Sequence, residues 1–167
     1  DGNDFEFGSH QKELLQLLID NGGRGLAGHW MGSGKTVSAI SIAKIMHAKT
    51  DPSDPEQHDP KAPKKTLIVA PLNTVEQWRQ ACDEFDDGCT VTGAGKSNVP
   101  IDEYLADMER FPHDLVVVGP EYYTINQQKF RKAGFDGLIV DEAHMGLKNE
   151  AAERNRAIHE WNPDMKM

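Results

Sequence analysis

Apolar residues recur at helical spacing in several stretches of the chain. The segment HQKELLQLLID (10–20) predicts a helix that ends at the NGG following it, and TVSAISIAKIMHAK (36–49) predicts a well-buried helix. TVEQWRQACDEF (74–85), IDEYLADMERF (101–111) and EAAERNRAIHEW (150–161) predict three more helices with one apolar face each. In the helix at 10–20 the predicted apolar face comprises Leu14, Leu15, Leu17, Leu18 and Ile19.

Short apolar runs between these helices predict strands. TLIVAP (66–71), DLVVVGP (114–120) and DGLIVDEAH (136–144) are continuous runs of the kind that is buried on both sides of a sheet. CTVTG (89–93) and residues 25–28 predict two further short strands. Strands that alternate with helices at this spacing indicate an α/β fold with a parallel sheet and helices on both faces.

The length of 167 residues fits one domain, 1–167, and the apolar content of 38% is that of an ordinary globular chain. Residues 49–65 contain four prolines and little to bury, which predicts a mobile surface loop and not a domain boundary. No apolar run approaches the roughly 20 residues needed to cross a bilayer, and no export signal is visible at the start. We therefore expect an intracellular protein, cytoplasmic or nuclear, without a membrane segment.

Two features of composition limit the possible functions. The net charge of −9 disfavours nucleic-acid binding through bulk positive charge, although helix ends and backbone amides remain available for phosphates. The two cysteines, Cys82 and Cys89, lack a second Cys/His pair that would complete a zinc site. We interpret them as reduced intracellular thiols.

Two glycine-lysine loops compete as phosphate sites. MGSGKT (31–36) follows a predicted strand and opens a long helix, the context that a phosphate loop requires. GAGKS (93–97) is followed by Pro100, which interrupts any helix starting there, so we interpret it as a surface turn. The first loop departs from the GxxxxGK[ST] pattern at His29, where the pattern has glycine. This histidine leaves open how the loop packs near the phosphates.

The residues of the first loop fit nucleotide chemistry. Gly32 and Gly34, on either side of Ser33, allow the backbone to approach phosphate oxygens and to direct N–H groups at them. The Lys35 ammonium suits the β/γ oxygens of ATP, and the Thr36 hydroxyl suits Mg²⁺.

An acidic strand end supports the same interpretation. LIVDEAH ends a buried strand in Asp141 and Glu142, and parallel strands bring their carboxyl ends to one edge of the sheet. There Asp141 would bind Mg²⁺, generally through water, and Glu142 would orient and deprotonate the attacking water. The alternative is a charged strand end that merely starts a loop.

These motifs together resemble the superfamily-two helicase-like ATPases, and most closely the first RecA-like lobe of Swi/Snf-type DNA translocases in its DEAH-box form. The residues that carry the resemblance are HWMGSGKT (29–36), LIVAPLNTVEQW (67–78) and LIVDEAHMGLKN (138–149). The segment GSHQKELLQLLIDN (8–21) is similar to the family's opening helix.

The resemblance implies further site residues. It makes Gln11 a candidate for adenine contact, with ordinary surface use as the alternative, and His144 either the coupling residue of the acidic motif or a polar loop residue. It also implies nucleic-acid backbone contacts from the segments Pro71–Thr74 and Gly119–Thr124. The residues that we single out in these two segments are Pro71, Asn73, Thr74, Gly119 and Thr124.

The resemblance also implies a lobe that is incomplete at its C-terminal end. The family's third motif would follow Met167, and a second RecA-like lobe carries the arginines that assist hydrolysis. We therefore expect ATP and Mg²⁺ as cofactors, DNA, in double-stranded form, as partner, and very slow hydrolysis by this lobe alone. A strand-separating DNA or RNA helicase and a hydrolysis-deficient nucleotide-binding or scaffold module remain as alternatives.

Overall fold

A computed structural model describes residues 7–21, 34–48, 56, 65–85, 89–91, 100–108, 114–135, 137–141 and 165–166 of the chain. Four predicted features fall wholly or almost wholly outside these ranges: the strand at 25–28, the glycine turn at 93–97, the closing helix at 150–161 and the proline-rich loop at 49–65. Of that loop, the described residues are Glu56, which lies in a turn, and Lys65, which is the first residue of a strand.

Five strands form one sheet in the described part of the chain. They are β1 (Lys65–Val69), β2 (Cys89–Val91), β3 (Asp114–Val118), β4 (Gly137–Val140) and β5 (Met165–Lys166). Their order across the sheet is β2-β3-β1-β4-β5, and every neighbouring pair is parallel. The prediction of a parallel α/β sheet is therefore confirmed.

Five helices accompany the strands. They are α1 (Ser9–Asp20), α2 (Lys35–Ala48), α3 (Val75–Phe85), α4 (Ile101–Met108) and α5 (Pro120–Lys132). The predicted helices at 10–20, 36–49, 74–85 and 101–111 all form, with ends that differ by at most three residues. Helix α5 is an additional finding, as is the short strand β5.

The sheet divides the core into two apolar layers. Successive strand residues point to opposite faces, so Ile68 joins one layer while Leu67 and Val69 join the other. The first layer packs α1, α2 and α3 on the sheet, and the second layer packs α4 and α5. The result is the predicted arrangement with helices on both faces, and it explains why the central strands are apolar on both sides.

The direction of α2 follows from a contact at its last turn. His47 Nε2 lies 2.9 Å from Thr66 Oγ1, and Thr66 is the second residue of β1. The C-terminal end of α2 is thus fixed at the edge of the sheet where strands begin. With 14 residues the helix is about 20 Å long, more than the length of β1. The helix packs along the sheet, so its N-terminal end at Lys35 lies toward the edge where strands end.

Two sequence-based interpretations are wrong. Leu17 is 55% exposed, because the buried face of α1 is narrower than the run of leucines and is formed by Leu14, Leu15 and Leu18. Cys82 is disulfide-bonded and is not a reduced thiol, and the only other cysteine of the chain is Cys89, seven positions further on. In the described part of the chain no helix combines the length and the apolar character needed to cross a membrane.

Candidate functional site

The start of α2 carries the predicted phosphate-binding residues. Gly34 adopts a φ of 77°, in the left-handed region that favours glycine, and the Ser38 N–H donates to its carbonyl at 3.0 Å. Lys35 and Thr36 form the first turn and are half-buried. A helix start presents backbone N–H groups that lack intrahelical partners, and these favour an anion. Gly32 and Ser33 lie outside the described residues.

Gln11 lies against this helix start. Its side chain is buried, its Oε1 accepts the Gly8 N–H at 2.9 Å, and its Nε2 lies 3.5 Å from the Gly34 carbonyl oxygen. A glutamine fixed at both ends of its amide is not an ordinary surface residue, so that alternative is wrong. The structure brings α1 and the end of the phosphate loop together through this side chain.

Asp141 is the first residue after β4, at the carboxyl edge of the sheet. Its N–H donates to the Val69 carbonyl at 2.9 Å, which continues the ladder between β4 and β1. Its carboxylate Oδ2 accepts a hydrogen bond from the Trp78 indole N–H at 2.8 Å. Both its backbone and its side chain are therefore oriented by neighbouring elements. Glu142 and His144 lie outside the described residues.

The predicted halves of the site share one edge of the sheet. Asp141 ends β4 at the carboxyl edge, and the direction of α2 brings Lys35 and Thr36 toward that same edge. A hydroxyl and a carboxylate are hard oxygen ligands of the kind that Mg²⁺ prefers. Among the described residues no group of three or more His, Cys, Asp or Glu could hold a metal ion. Mg²⁺ bound here would thus need nucleotide oxygens or waters to complete its coordination.

The two segments expected to contact nucleic acid also meet at the carboxyl edge. Pro71, Asn73 and Thr74 follow β1, and Gly119 follows β3, its neighbour in the sheet. The Ala70 N–H donates to the Val118 carbonyl at 3.1 Å, which joins the two strand ends directly. The starts of α3 and α5 therefore follow adjacent strand ends.

The threonines of these segments make hydrogen bonds within their own segments. The Thr74 hydroxyl donates to the Pro71 carbonyl at 2.9 Å, and the Thr124 hydroxyl donates to the Pro120 carbonyl at 2.8 Å. A hydroxyl has one proton, so in this state neither threonine can donate to a phosphate as well. Backbone N–H groups at the two helix starts are the donors suited to that contact.

Trp78 contacts the candidate site through Asp141, whereas the sequence predicts for its helix, 74–85, only one apolar stripe. It is buried, as that stripe predicts, but it also holds Asp141. A buried indole N–H needs an acceptor, and this rule was the one signal that could have indicated a polar partner.

The fold and the site together define a class of protein. A parallel sheet with helices on both faces carries a Gly-Lys-Thr helix start and an acidic strand end at its carboxyl edge. These are the features of a RecA-like α/β nucleotide-binding lobe. The SNF2-related domain matches residues 10–167, nearly the whole chain. The chain belongs to the SNF2-related domain family.

Curated relatives agree with this assignment. The chain is 29% identical over 161 residues to the mouse DNA excision repair protein ERCC-6-like 2, a match that covers 86% of this chain and 10% of the relative. It is 28% identical over 147 residues to the ISWI chromatin-remodeling complex ATPase CHR11 of Arabidopsis thaliana, covering 81% of this chain and 12% of the relative. The chain thus spans about a tenth of the length of these relatives.

A solved structure has the same fold. The Sulfolobus solfataricus SWI2/SNF2 ATPase core in complex with double-stranded DNA superposes with a TM-score of 0.66. At 16% sequence identity the match covers 97% of this chain and 31% of that structure's chain. This likeness establishes the RecA-like fold of the chain.

Proposed function

We propose that residues 1–167 form the first motor lobe of an ATP-driven translocase or remodeller that moves on double-stranded DNA. The observation that carries this proposal is the shared carboxyl edge. There the start of α2, with Gln11 against it, and Asp141 approach from different elements. Proteins with related sequences are named as chromatin-remodelling ATPases and as a DNA excision repair protein.

In this proposal the nucleotide is held mainly from α2. The N–H groups of Gly32, Ser33 and Gly34 bind phosphate oxygens, Lys35 neutralises the β/γ oxygens, and Gln11 contacts the adenine. Gln11 is suited to this role because its amide already lies beside Gly34.

Thr36 and Asp141 would hold Mg²⁺, which supplies neutralisation of the phosphate charge when bound. Glu142 takes the proton of the attacking water, and His144 couples the acidic motif, in its DEAH-box form, to the rest of the motor. Asp141 suits its role because Trp78 and Val69 fix its orientation.

DNA would lie across the starts of α3 and α5. Pro71, Asn73 and Thr74 from one segment, and Gly119 and Thr124 from the other, follow adjacent strands, so the two helix starts lie at the same edge of the sheet. Backbone N–H groups at helix starts bind phosphates without added positive charge, which reconciles the proposal with the net charge of −9.

A second RecA-like lobe in the full-length protein would close over the nucleotide and supply arginines to the phosphates. Such an arginine is worth several kcal/mol in comparable phosphoryl transfer, so we expect this lobe alone to hydrolyse ATP very slowly. The names of the relatives, which concern chromatin and DNA repair, favour an intracellular and nuclear or cytoplasmic protein.

The test is an ATPase assay on the full-length protein with double-stranded DNA, single-stranded DNA and RNA in separate reactions. We expect double-stranded DNA to stimulate turnover most, and Lys35→Ala to lower stimulated turnover by about 100-fold or more. Lys132→Ala is the matched control, because it removes one exposed lysine at the far end of α5.

The outcomes separate the alternatives. Stimulation mainly by single-stranded DNA or RNA would favour a strand-separating helicase. ATP binding without turnover under every condition would favour a hydrolysis-deficient nucleotide-binding or scaffold module. Full turnover in the Lys35→Ala protein would contradict the proposal.

A further inference from the structure

The Trp78–Asp141 hydrogen bond joins two elements that are far apart in sequence. The residues are 63 positions apart, and the donor and acceptor atoms lie 2.8 Å from one another. Trp78 is only 3% exposed, so the bond forms at the boundary between the apolar layer under α3 and the carboxyl edge of the sheet. Helix α3 thereby contacts the acidic strand end directly.

The donor and acceptor roles in this hydrogen bond are fixed. An indole N–H is only a donor, so it stabilises an acceptor oxygen on Asp141 and cannot exchange roles with it. A hydrogen bond to an ionised carboxylate is shorter and stronger than one between neutral groups. Because the rigid indole is packed in the core, its N–H direction is fixed, and the orientation of the Asp141 carboxylate is fixed with it.

We propose that Trp78 is a positioning residue for the metal-nucleotide site, and that it acts by orienting the Asp141 carboxylate toward the bound cation. This proposal rests on the proposed function, since it requires Mg²⁺·nucleotide at the carboxyl edge. Residues that hydrogen-bond a metal-binding carboxylate typically change metal affinity by about 10- to 100-fold when they are replaced.

A purely structural role makes a different prediction. If Asp141 served only to satisfy the buried indole N–H, loss of that N–H would lower stability without any selective effect on the metal. The two roles are therefore separated by the ratio of nucleotide affinities with and without Mg²⁺, and not by activity or stability.

The experiment measures ADP binding by calorimetry to the 167-residue chain and its Trp78→Phe variant, each in Mg²⁺ and in EDTA. Phenylalanine keeps an aromatic ring in the core and removes the N–H. We expect the Kd in Mg²⁺ to rise about 10-fold or more, and the Kd in EDTA to stay within about twofold. Val75→Ala is the control, because it loosens the same buried face of α3 one turn earlier.

Each outcome decides something. An unchanged affinity ratio in Trp78→Phe, or the same change in Val75→Ala, would overturn the positioning role while leaving the nucleotide site intact. An unmodified chain that binds ADP equally well with and without Mg²⁺, or does not bind it, would overturn the metal-nucleotide site and this proposal with it.

A second measurement applies if Trp78→Phe fails to fold. The chain has three tryptophans, so Trp30→Phe combined with Trp161→Phe leaves the Trp78 indole as a single N–H resonance. We expect this resonance to move when Mg²⁺ is added to the ADP complex. A resonance whose chemical shift does not change when Mg²⁺ is added would overturn the proposal.

Discussion

At the scale of single residues, Gly34 shows most directly how the site depends on backbone geometry. Its φ of 77° favours glycine, and a Cβ at this position would meet Gln11 Nε2 closer than real Cβ atoms come to their neighbours. Gly134 offers a natural comparison, because its φ of 84° is similar but a Cβ there would meet nothing within 4 Å.

We predict that Gly34→Ala costs more free energy of unfolding than Gly134→Ala. The second substitution should cost about 1–2 kcal/mol from the left-handed backbone alone, and the first should add about 1 kcal/mol, because the Gln11 amide must leave its hydrogen bonds to make room. Urea unfolding of both variants measures the difference. In a Gly34→Ala, Gln11→Ala double-mutant cycle the crowding should appear as coupling between the positions. Equal costs for the two glycines would contradict the close contact.

Tyr123 gives the stability of the chain a dependence on alkaline pH. It is fully buried in α5, and desolvation raises the pKa of its hydroxyl to about 12, although the nearby Arg131 acts in the opposite direction. The unfolded chain has an ordinary tyrosine pKa of 10.0. The folded state therefore holds this proton more tightly than the unfolded state does. The stabilisation that comes from the protonated Tyr123 hydroxyl is complete below about pH 10 and is lost as pH rises toward about 12.

We predict that Tyr123→Phe flattens the decline of the free energy of unfolding between about pH 10 and about pH 12. One group with this shift contributes a slope of about 1.4 kcal/mol per pH unit in that window. Urea unfolding of both proteins across the window measures the slopes. Parallel curves for the variant and the unmodified chain would show that the Tyr123 hydroxyl titrates normally.

Sequence reasoning proposes which residues of the candidate site carry its chemistry, but it does not identify the residues that contact them. Lys35, Thr36 and Asp141 were predicted from motifs, because phosphate and metal chemistry demands particular side chains. The burial of Gln11 and the Trp78–Asp141 bond could not be predicted, since both depend on contacts between elements distant in sequence.

At the scale of elements, hydrophobic spacing predicted where helices form better than which residues they bury. In α1 the sequence places five apolar residues together, yet Leu18 is fully buried while Leu17 is 55% exposed. Adjacent residues point about 100° apart around a helix, so one of two neighbouring leucines can face solvent when the neighbouring α2 covers only a narrow stripe.

This pair provides a matched test of how α1 packs. We predict that Leu18→Ala lowers the free energy of unfolding by about 2–5 kcal/mol, because it leaves a cavity in the apolar layer. Leu17→Ala should change it by no more than about 0.5 kcal/mol, as exposed positions do. Thermal and urea unfolding of the two variants measure these changes. Equal losses of free energy of unfolding in the two variants would mean that α1 packs with a different face.

Helix α5 shows why one element escaped prediction. Pro120 ends the predicted strand, and the polar run at 126–129 conceals the helical spacing. Its buried residues are Tyr122, Tyr123 and Phe130, so the apolar stripe is interrupted in its middle. The aromatic side chains compensate by size: the Phe130 ring packs edge-to-face against Tyr122 and Phe135.

At the scale of the whole molecule, the sequence predicted the layers but not the order of the strands. Alternation of apolar strands and helices indicates a parallel sheet covered on both faces, and both features are confirmed. The order β2-β3-β1-β4-β5 depends on which strands pair, and continuous apolar runs are equally suited to any central position. That order makes β1 the neighbour of both β3 and β4, so the ends of all three lie side by side.

The most direct test of the central claim is to locate the metal of a bound nucleotide relative to the two edges of the sheet. Mn²⁺ can replace Mg²⁺ at oxygen sites, and in complex with ADP it broadens the NMR signals of nearby backbone amides. We predict that the amides of Gly34, Thr36 and Asp141 broaden, while those of Thr66 and Gly134, at the opposite edge, stay sharp. Broadening at Thr66 and Gly134 with Asp141 unaffected would contradict a nucleotide site at the carboxyl edge.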